Sequence, residues 1–192
     1  MKLLHLDSSI LGDNSASREL SAAVVARWQD AVPALEVTYR DLASAPLPHL
    51  SGGSLAGLDA GEAAEAGRVM QEFLDADVVV VGAPMYNFGV PSTLKAWLDR
   101  VLVAGKTFRY TESGPQGLAG GKKVVVVSSR GGAHQDSGSD FQESYLRFVF
   151  GFMGLTDIEI VRAEGLAMSP QHRAEAMAAA HASILVPLAE AA

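Results

Sequence analysis

Three short segments of this 192-residue chain carry side chains and glycines suited to gripping an anion and a flat ring. The first runs from Asp7 to Arg18 and places Ser9, Ser15 and Ser17 just before and within a helix start, with Ala16 between the last two. Unpaired backbone N–H groups and the positive end of the helix dipole favour an anion there, such as a terminal phosphate. Ser15 is equally suited to capping the helix, and the other hydroxyls to solvating a turn, so this segment alone leaves both readings open. The second segment, Pro84-Met85-Tyr86-Asn87-Phe88-Gly89, ends a strand in a rigid aromatic turn. It can lay apolar faces and backbone N–H groups along a heteroaromatic ring, with Gly89 permitting close approach, or Tyr86 and Phe88 can simply cap the core at the sheet's edge. The third, Ser129-Arg130-Gly131-Gly132, reads on its own as an ordinary turn, though its two glycines would also free peptide units to hydrogen-bond a carbonyl-rich rim; His134 lies just beyond it, where a loop histidine is commonly just solvated. The chain has no cysteine, so its chemistry rests on hydroxyls, amides, imidazoles, carboxylates or a borrowed cofactor.

Positioning these segments together requires a particular scaffold. Apolar periodicity alternates between strand-like and helix-like patterns, the signature of a doubly wound α/β sheet. Strands are expected over residues 2–7, 36–41, 78–84, 122–129 and 158–162. The unbroken runs Val78 to Val81 and Val124 to Val127 suit central parallel strands covered by helices on both faces. Helical stripes include Leu20, Ala23, Val24 and Trp28; Ala66, Val69, Met70 and Phe73; and Leu94, Trp97, Leu98, Val101 and Leu102. A fourth, Phe141, Tyr145, Phe148, Val149 and Phe152, is expected to face the core like the others, and an alanine-rich helix should close the chain after Pro170. Residues 44–61 and 105–121 are long Gly/Pro/Ser-rich excursions within one domain spanning residues 1–192. All three candidate segments follow strands, so the sheet order 2-1-3-4-5 is expected, which places them at one edge where the winding reverses.

The same residues carry a family resemblance. Pro84-Met85-Tyr86-Asn87-Phe88 with Leu94-Lys95-Ala96-Trp97-Leu98-Asp99, then Phe108 to Pro115, then Ser128-Ser129-Arg130-Gly131-Gly132-Ala133-His134, resemble in order the FMN-dependent NADH azoreductase and quinone reductase family. The likeness implies a flavodoxin-like homodimer with FMN near the subunit interface, reduced by NADH or NADPH and reoxidised by quinones or azo compounds. Carried over, Ser9, Ser15, Ala16 and Ser17 would hold the phosphate. Met85, Tyr86, Asn87 and Phe88 would line the isoalloxazine, and Ser129, Arg130, Gly131 and Gly132 would meet its pyrimidine edge. Ala16 departs from the polar residue, commonly glutamine, found there in relatives, so only its backbone N–H is available. His134 is expected near the flavin N1/C2=O edge, where a donor or cation stabilises the reduced ring. Phe108 and Tyr110 are expected to wall a substrate site across the subunit interface.

Other classes fit worse. A net charge of −7 opposes nucleic-acid binding. Asp7 interrupts the N-terminal apolar run, and no apolar stretch reaches membrane-spanning length, so the expectation is a cytoplasmic protein with no membrane association. Gly105-Lys106-Thr107 lacks the upstream glycine of a phosphate-binding P-loop, Arg100 occupying that position. No Gly-x-Gly-x-x-Gly follows the first strand, so the nicotinamide nucleotide is expected to visit and leave. Strand three ends without the aspartate of a phospho-acceptor domain, no Gly-x-Ser-x-Gly elbow is present, and no metal site is expected. The remaining rival is a flavodoxin-type electron carrier docking on protein partners, which NADH would not reduce directly.

Overall fold

A computed structural model describes residues 1–134 and 138–185. The elements run β1 (Lys2–Asp7), α1 (Ala16–Ala31), β2 (Glu36–Asp41), α2 (Gly52–Leu55), α3 (Ala60–Asp75), β3 (Val78–Pro84), α4 (Ser92–Val101), β4 (Phe108–Thr111), β5 (Gly114–Gly117), β6 (Lys123–Ser129), α5 (Phe141–Phe152), β7 (Asp157–Ala163) and α6 (Pro170–Ser183). The main sheet is parallel with order β2-β1-β3-β6-β7, which is 2-1-3-4-5 when its five strands are counted alone.

The valine runs explain the two-sided packing. Val79, Val81, Val124 and Val126 join one apolar cluster with Phe73, Trp97, Leu146 and Phe150. Their neighbours Val78, Val80, Val125 and Val127 join the other with Leu20, Val24, Trp28 and Met177. Each fully buried valine side chain contributes about 1.5–3 kcal/mol relative to exposure, so the paired runs define the sheet's centre. Register then levels the strand ends: Asp7 pairs with Gly82, and Pro84 with Ser129. The loops that follow β1, β3 and β6 therefore leave the sheet side by side.

Two expectations need correction. The excursion at 105–121 contains a small antiparallel hairpin, β4 with β5, docked on the end of α5 through the Ala119 N–H to Met153 O bond of 2.9 Å. On α5 itself the predicted stripe splits: Phe141 and Phe148 are 63% and 70% exposed, while Val149 is buried and Tyr145 packs against the core, joined there by Leu146 and Phe150. The helix carries two apolar stripes, and the aliphatic one, continued by Phe150, meets the sheet.

Candidate functional site

The β1–α1 connection forms the anion corner. A single 3-10 turn, Gly12–Asn14, delivers the chain to Ser15, whose hydroxyl accepts the Arg18 N–H at 3.3 Å as the cap of α1. Its oxygen also lies 3.1 Å from the Ser17 hydroxyl, and both side chains are buried. By helix geometry the first-turn N–H groups of Ala16 and Ser17 have no carbonyl one turn back to donate to. The loop is held from behind by Arg18, which donates to the Ser9 carbonyl through Nη2 at 2.9 Å and to Asp41 at 2.7 Å. Burial pushes the Asp41 carboxyl up, but the Arg18 hydrogen bond and the N–H groups of Ala43 and Ser44 outweigh it and hold the group at about 2. Beneath lies the buried Asp7 carboxylate, which accepts from Ser21 at 2.8 Å and Tyr39 at 3.1 Å. Gly82 makes room for it, since a Cβ there would collide with Asp7 Oδ1.

The β3–α4 connection supplies the aromatic wall. Tyr86 and Gly89 exchange both backbone hydrogen bonds at 3.0 Å, closing a two-residue turn with Asn87 at φ 49° and Phe88 at φ 68°. Two positive φ angles match a type I′ turn, a conformation asparagine tolerates and a bulky residue resists. The Phe88 ring is 51% exposed and meets His134 edge-on, with centroids 5.6 Å apart. Tyr86 turns the other way: its hydroxyl sits 3.2 Å from Ser9 Oγ and accepts the Ile10 N–H at 3.1 Å, tying the second loop to the first.

The glycine loop after β6 lies alongside, with the Met85 N–H donating to the Ser129 carbonyl at 2.8 Å. The loop after β7 takes up its carbonyls: Leu166 N–H donates to Arg130 O, Ala167 N–H to Gly131 O, and Gly165 N–H to Gly132 O. The Arg130 N–H is itself spent on Ala163 O at 3.0 Å, which leaves the N–H groups of Gly131 and Gly132 as what this loop can offer a ligand. A side chain at Gly132 would meet His134 Nε2 at 2.8 Å, so the bare glycine admits the imidazole. His134 is oriented by its own N–H to Glu164 at 3.0 Å and by Nδ1 at 3.1 Å from Ser139 Oγ. Arg130, by contrast, turns its guanidinium inward to Asp140 at 2.7 Å, Glu143 at 2.6 Å and Glu164 at 3.2 Å. Burial pushes the Asp140 carboxyl up, and the Arg130 hydrogen bond and the Glu143 N–H overcome it, leaving the group below its ordinary value. Gln142 anchors the same end of the sheet, donating to the carbonyls of Ala83 and Pro84 and accepting from Ser128.

The three loops enclose a cleft of about 220 Å³ that Ser9, Ser15, Ala16, Met85, Tyr86, Ser129, Arg130 and Gly131 line. Ser17 is buried behind its wall, while Asn87, Phe88, Gly132 and His134 stand beyond its rim. Phe108 and Tyr110 lie on the hairpin and do not line it; Phe108 packs on Phe152 at 4.8 Å and Tyr110 is 74% exposed. The cleft adds Leu11 and Asn14 from within the first segment, and Leu166, Ala167 and Arg173 from outside all three. The usable signal for the last was Ser169-Pro170, a cap followed by a first-turn proline, which starts α6 just after the loop that follows β7.

Comparison with known proteins gives the family and the fold. A family profile described as flavodoxin-like fold matches residues 1–186. The chain is similar to the FMN-dependent NADH:quinone oxidoreductase of Stenotrophomonas maltophilia, with 64% identity over 184 residues covering 96% of this chain and 94% of the relative. Among solved structures it is similar to an azoreductase from Bacillus anthracis strain Sterne, with TM-score 0.86, 30% identity and 96% of each chain covered. An FMN-dependent NADH-azoreductase from B. anthracis strain Ames Ancestor, solved in complex with FMN, shares the fold at TM-score 0.86 and 24% identity, with 95% of each chain covered.

Proposed function

We propose a function from one established premise: the chain belongs to the flavodoxin-like family, among its FMN-dependent NADH:quinone oxidoreductases. It is an FMN-dependent enzyme that uses NADH or NADPH to reduce quinones and azo compounds by two electrons. The observation that carries this reading is the single cleft in which the hydroxyl-rich start of α1 faces the Met85–Tyr86 wall and the Gly131 backbone.

The residues present fit such a cofactor. Ser15 and the first-turn N–H groups of Ala16 and Ser17 form a dipole-assisted cradle for the phosphate, and the Ala16 backbone serves where its side chain cannot. Met85 and Tyr86 offer the ring an apolar wall, with Asn87 and Phe88 at its rim. The N–H groups of Gly131 and Gly132, on the loop that the Arg130 ion pairs hold, suit the carbonyls of a pyrimidine, with Ser129 and Arg130 shaping the same edge. When bound, FMN supplies the redox chemistry, accepting hydride at N5 and returning two electrons to the acceptor. The protein's part is to bind, orient and exclude water. In this reading Phe88 would shield the open side, and His134, whose backbone N–H is held by Glu164 and whose ring meets Ser139, would donate a hydrogen bond at the ring's edge.

The active unit in this reading is a cytoplasmic homodimer of one-domain chains. Supporting it is a chain of ring contacts from Phe108 through Phe152 to Phe148, which runs into side chains as exposed as Phe148 and Tyr110. Such apolar surface suits a second copy, across which Phe108 and Tyr110 would wall the acceptor site. No helix among the described residues is long and apolar enough to cross a membrane.

The test is a visible spectrum titrated with FMN, followed by anaerobic NADH and then a benzoquinone. Tight binding, direct bleaching and recovery with quinone are expected. FMN binding without direct bleaching would replace the enzyme with an electron carrier, and absence of binding would overturn the flavin reading.

A further inference from the structure

We infer that Arg173 is the counter-charge for the FMN phosphate, an assignment that rests on the flavin reading above. The phosphate end of FMN is a dianion near neutral pH, and the chain carries a net charge of −7, so the protein's overall field opposes its entry. Serine hydroxyls and backbone N–H groups supply dipoles but no full charge. A cation at the cleft is therefore worth more here than in a basic protein.

The guanidinium groups nearest the motif residues are already committed. Arg18 is paired with Asp41 at 2.7 Å, lies 3.8 Å from Asp7, and spends its remaining donors on the Ser9 carbonyl and the Tyr39 hydroxyl. Arg130 is buried among Asp140, Glu143 and Glu164. Arg173 differs from both. It lines the same cleft as Asn14, Ser15 and Ala16, is half-buried, and makes no ion pair among the described residues. Its position in the first turn of α6 follows from the Ser169 cap, whose hydroxyl accepts the His172 N–H at 3.1 Å, and from the Arg173 N–H to Ser169 O bond of 3.0 Å. The α6 helix packs beside α1 on one face of the sheet, so two helix starts and a guanidinium without an ion pair among the described residues border one cleft. Arginine's planar fork suits a phosphate's paired oxygens, and a half-buried site screens that attraction less than open solvent does.

The assignment separates FMN from riboflavin, which has the same ring and no phosphate. In fluorescence titrations of the full chain, Arg173→Ala should weaken FMN about tenfold or more, the scale of a lost charged hydrogen bond, and leave riboflavin affinity unchanged. Arg173→Lys should restore part of the loss, because it keeps the charge without the fork. Raising salt should weaken FMN binding more in the parent than in the alanine variant. Equal weakening of FMN and riboflavin would reduce Arg173 to a packing role and overturn the assignment. So would unchanged FMN affinity, including the case in which only the KM for NADH rises, which would move the guanidinium's partner to the dinucleotide. Failure of the parent chain to bind either flavin marks the failure of the flavin reading itself.

Discussion

Replacing Phe88 with glycine tests whether this ring is kept for ligand binding or for folding. Phe88 holds a left-handed backbone at φ 68°, and a non-glycine residue there costs about 1–2 kcal/mol, which glycine recovers. Against that gain stands the lost burial of a ring that is 51% exposed, about half of a full side chain's 1.5–3 kcal/mol. The edge-on contact with His134 at 5.6 Å is worth a further 0.5–1.5 kcal/mol or so. These nearly cancel, so Phe88→Gly should shift stability by about 1 kcal/mol or less, whereas truncating a core phenylalanine costs about 3–5 kcal/mol. Phe88→Ala removes the ring but keeps the strain, and should lie about 1 kcal/mol below the glycine variant. Urea unfolding measures both, and FMN titration of the same samples should show affinity falling about tenfold. A loss near 3 kcal/mol with FMN affinity intact would refute the reasoning, making Phe88 a packing residue whose strain the fold merely tolerates.

Ser15→Asp combined with Ser17→Asp places two carboxylates at the positive end of α1, where they repel a dianion and, buried side by side, also cost the fold some stability. FMN affinity should fall by about two orders of magnitude or more by Coulomb repulsion in a partly screened site, and unchanged affinity would remove the phosphate assignment. Asp41, held at about 2 against an ordinary 3.8, has a depressed folded pKa, so its contribution is present above pH 3.8 and lost as pH falls toward 2. The shift corresponds to about 2 kcal/mol; Asp41→Asn should flatten the stability profile across that window, and an unaltered acid limb in urea titrations would contradict it. At Gly117 a Cβ would fall on the backbone of Met153 and Gly154, so Gly117→Ala should cost about 1–3 kcal/mol. At Gly67, inside α3 with open space around the added Cβ, the same change should gain about 0.5–1 kcal/mol; equal effects in denaturation curves would show that the hairpin is not docked as described.

The main sheet was legible because its central strands are covered on both faces and so need unbroken β-branched runs, which Val78 to Val81 and Val124 to Val127 supply. The hairpin was not, because Gly114-Pro115-Gln116-Gly117 has no strand propensity of its own. It pairs with Phe108–Thr111 and docks where Gly117 and Gly154 let two backbones meet. On α5, periodicity identified an apolar face without saying which neighbour it meets. Phe141 and Phe148 are as hydrophobic as Leu146 and Phe150, and only the position of the sheet decides between them. The rings left outside, Phe141 and Phe148, are part of the apolar surface on which the proposed dimer rests.

The same distinction separates the two arginines at the cleft. Arg130 stands inside a recognisable glycine motif, yet its charge is taken up by Asp140 and Glu143 at the start of α5 and by Glu164 after β7. What it gives the site is a loop held in place, with the N–H groups of Gly131 and Gly132 taken up by no backbone bond among the described residues. Arg173 belongs to no motif, and its guanidinium reaches the cleft only because the winding brings the start of α6 beside the start of α1. Residue type and spacing name the groups able to do chemistry. Whether a charge is free to act depends on carboxylates that arrive from elsewhere in the chain, so an arginine outside every motif can carry the electrostatics while the motif arginine carries the architecture.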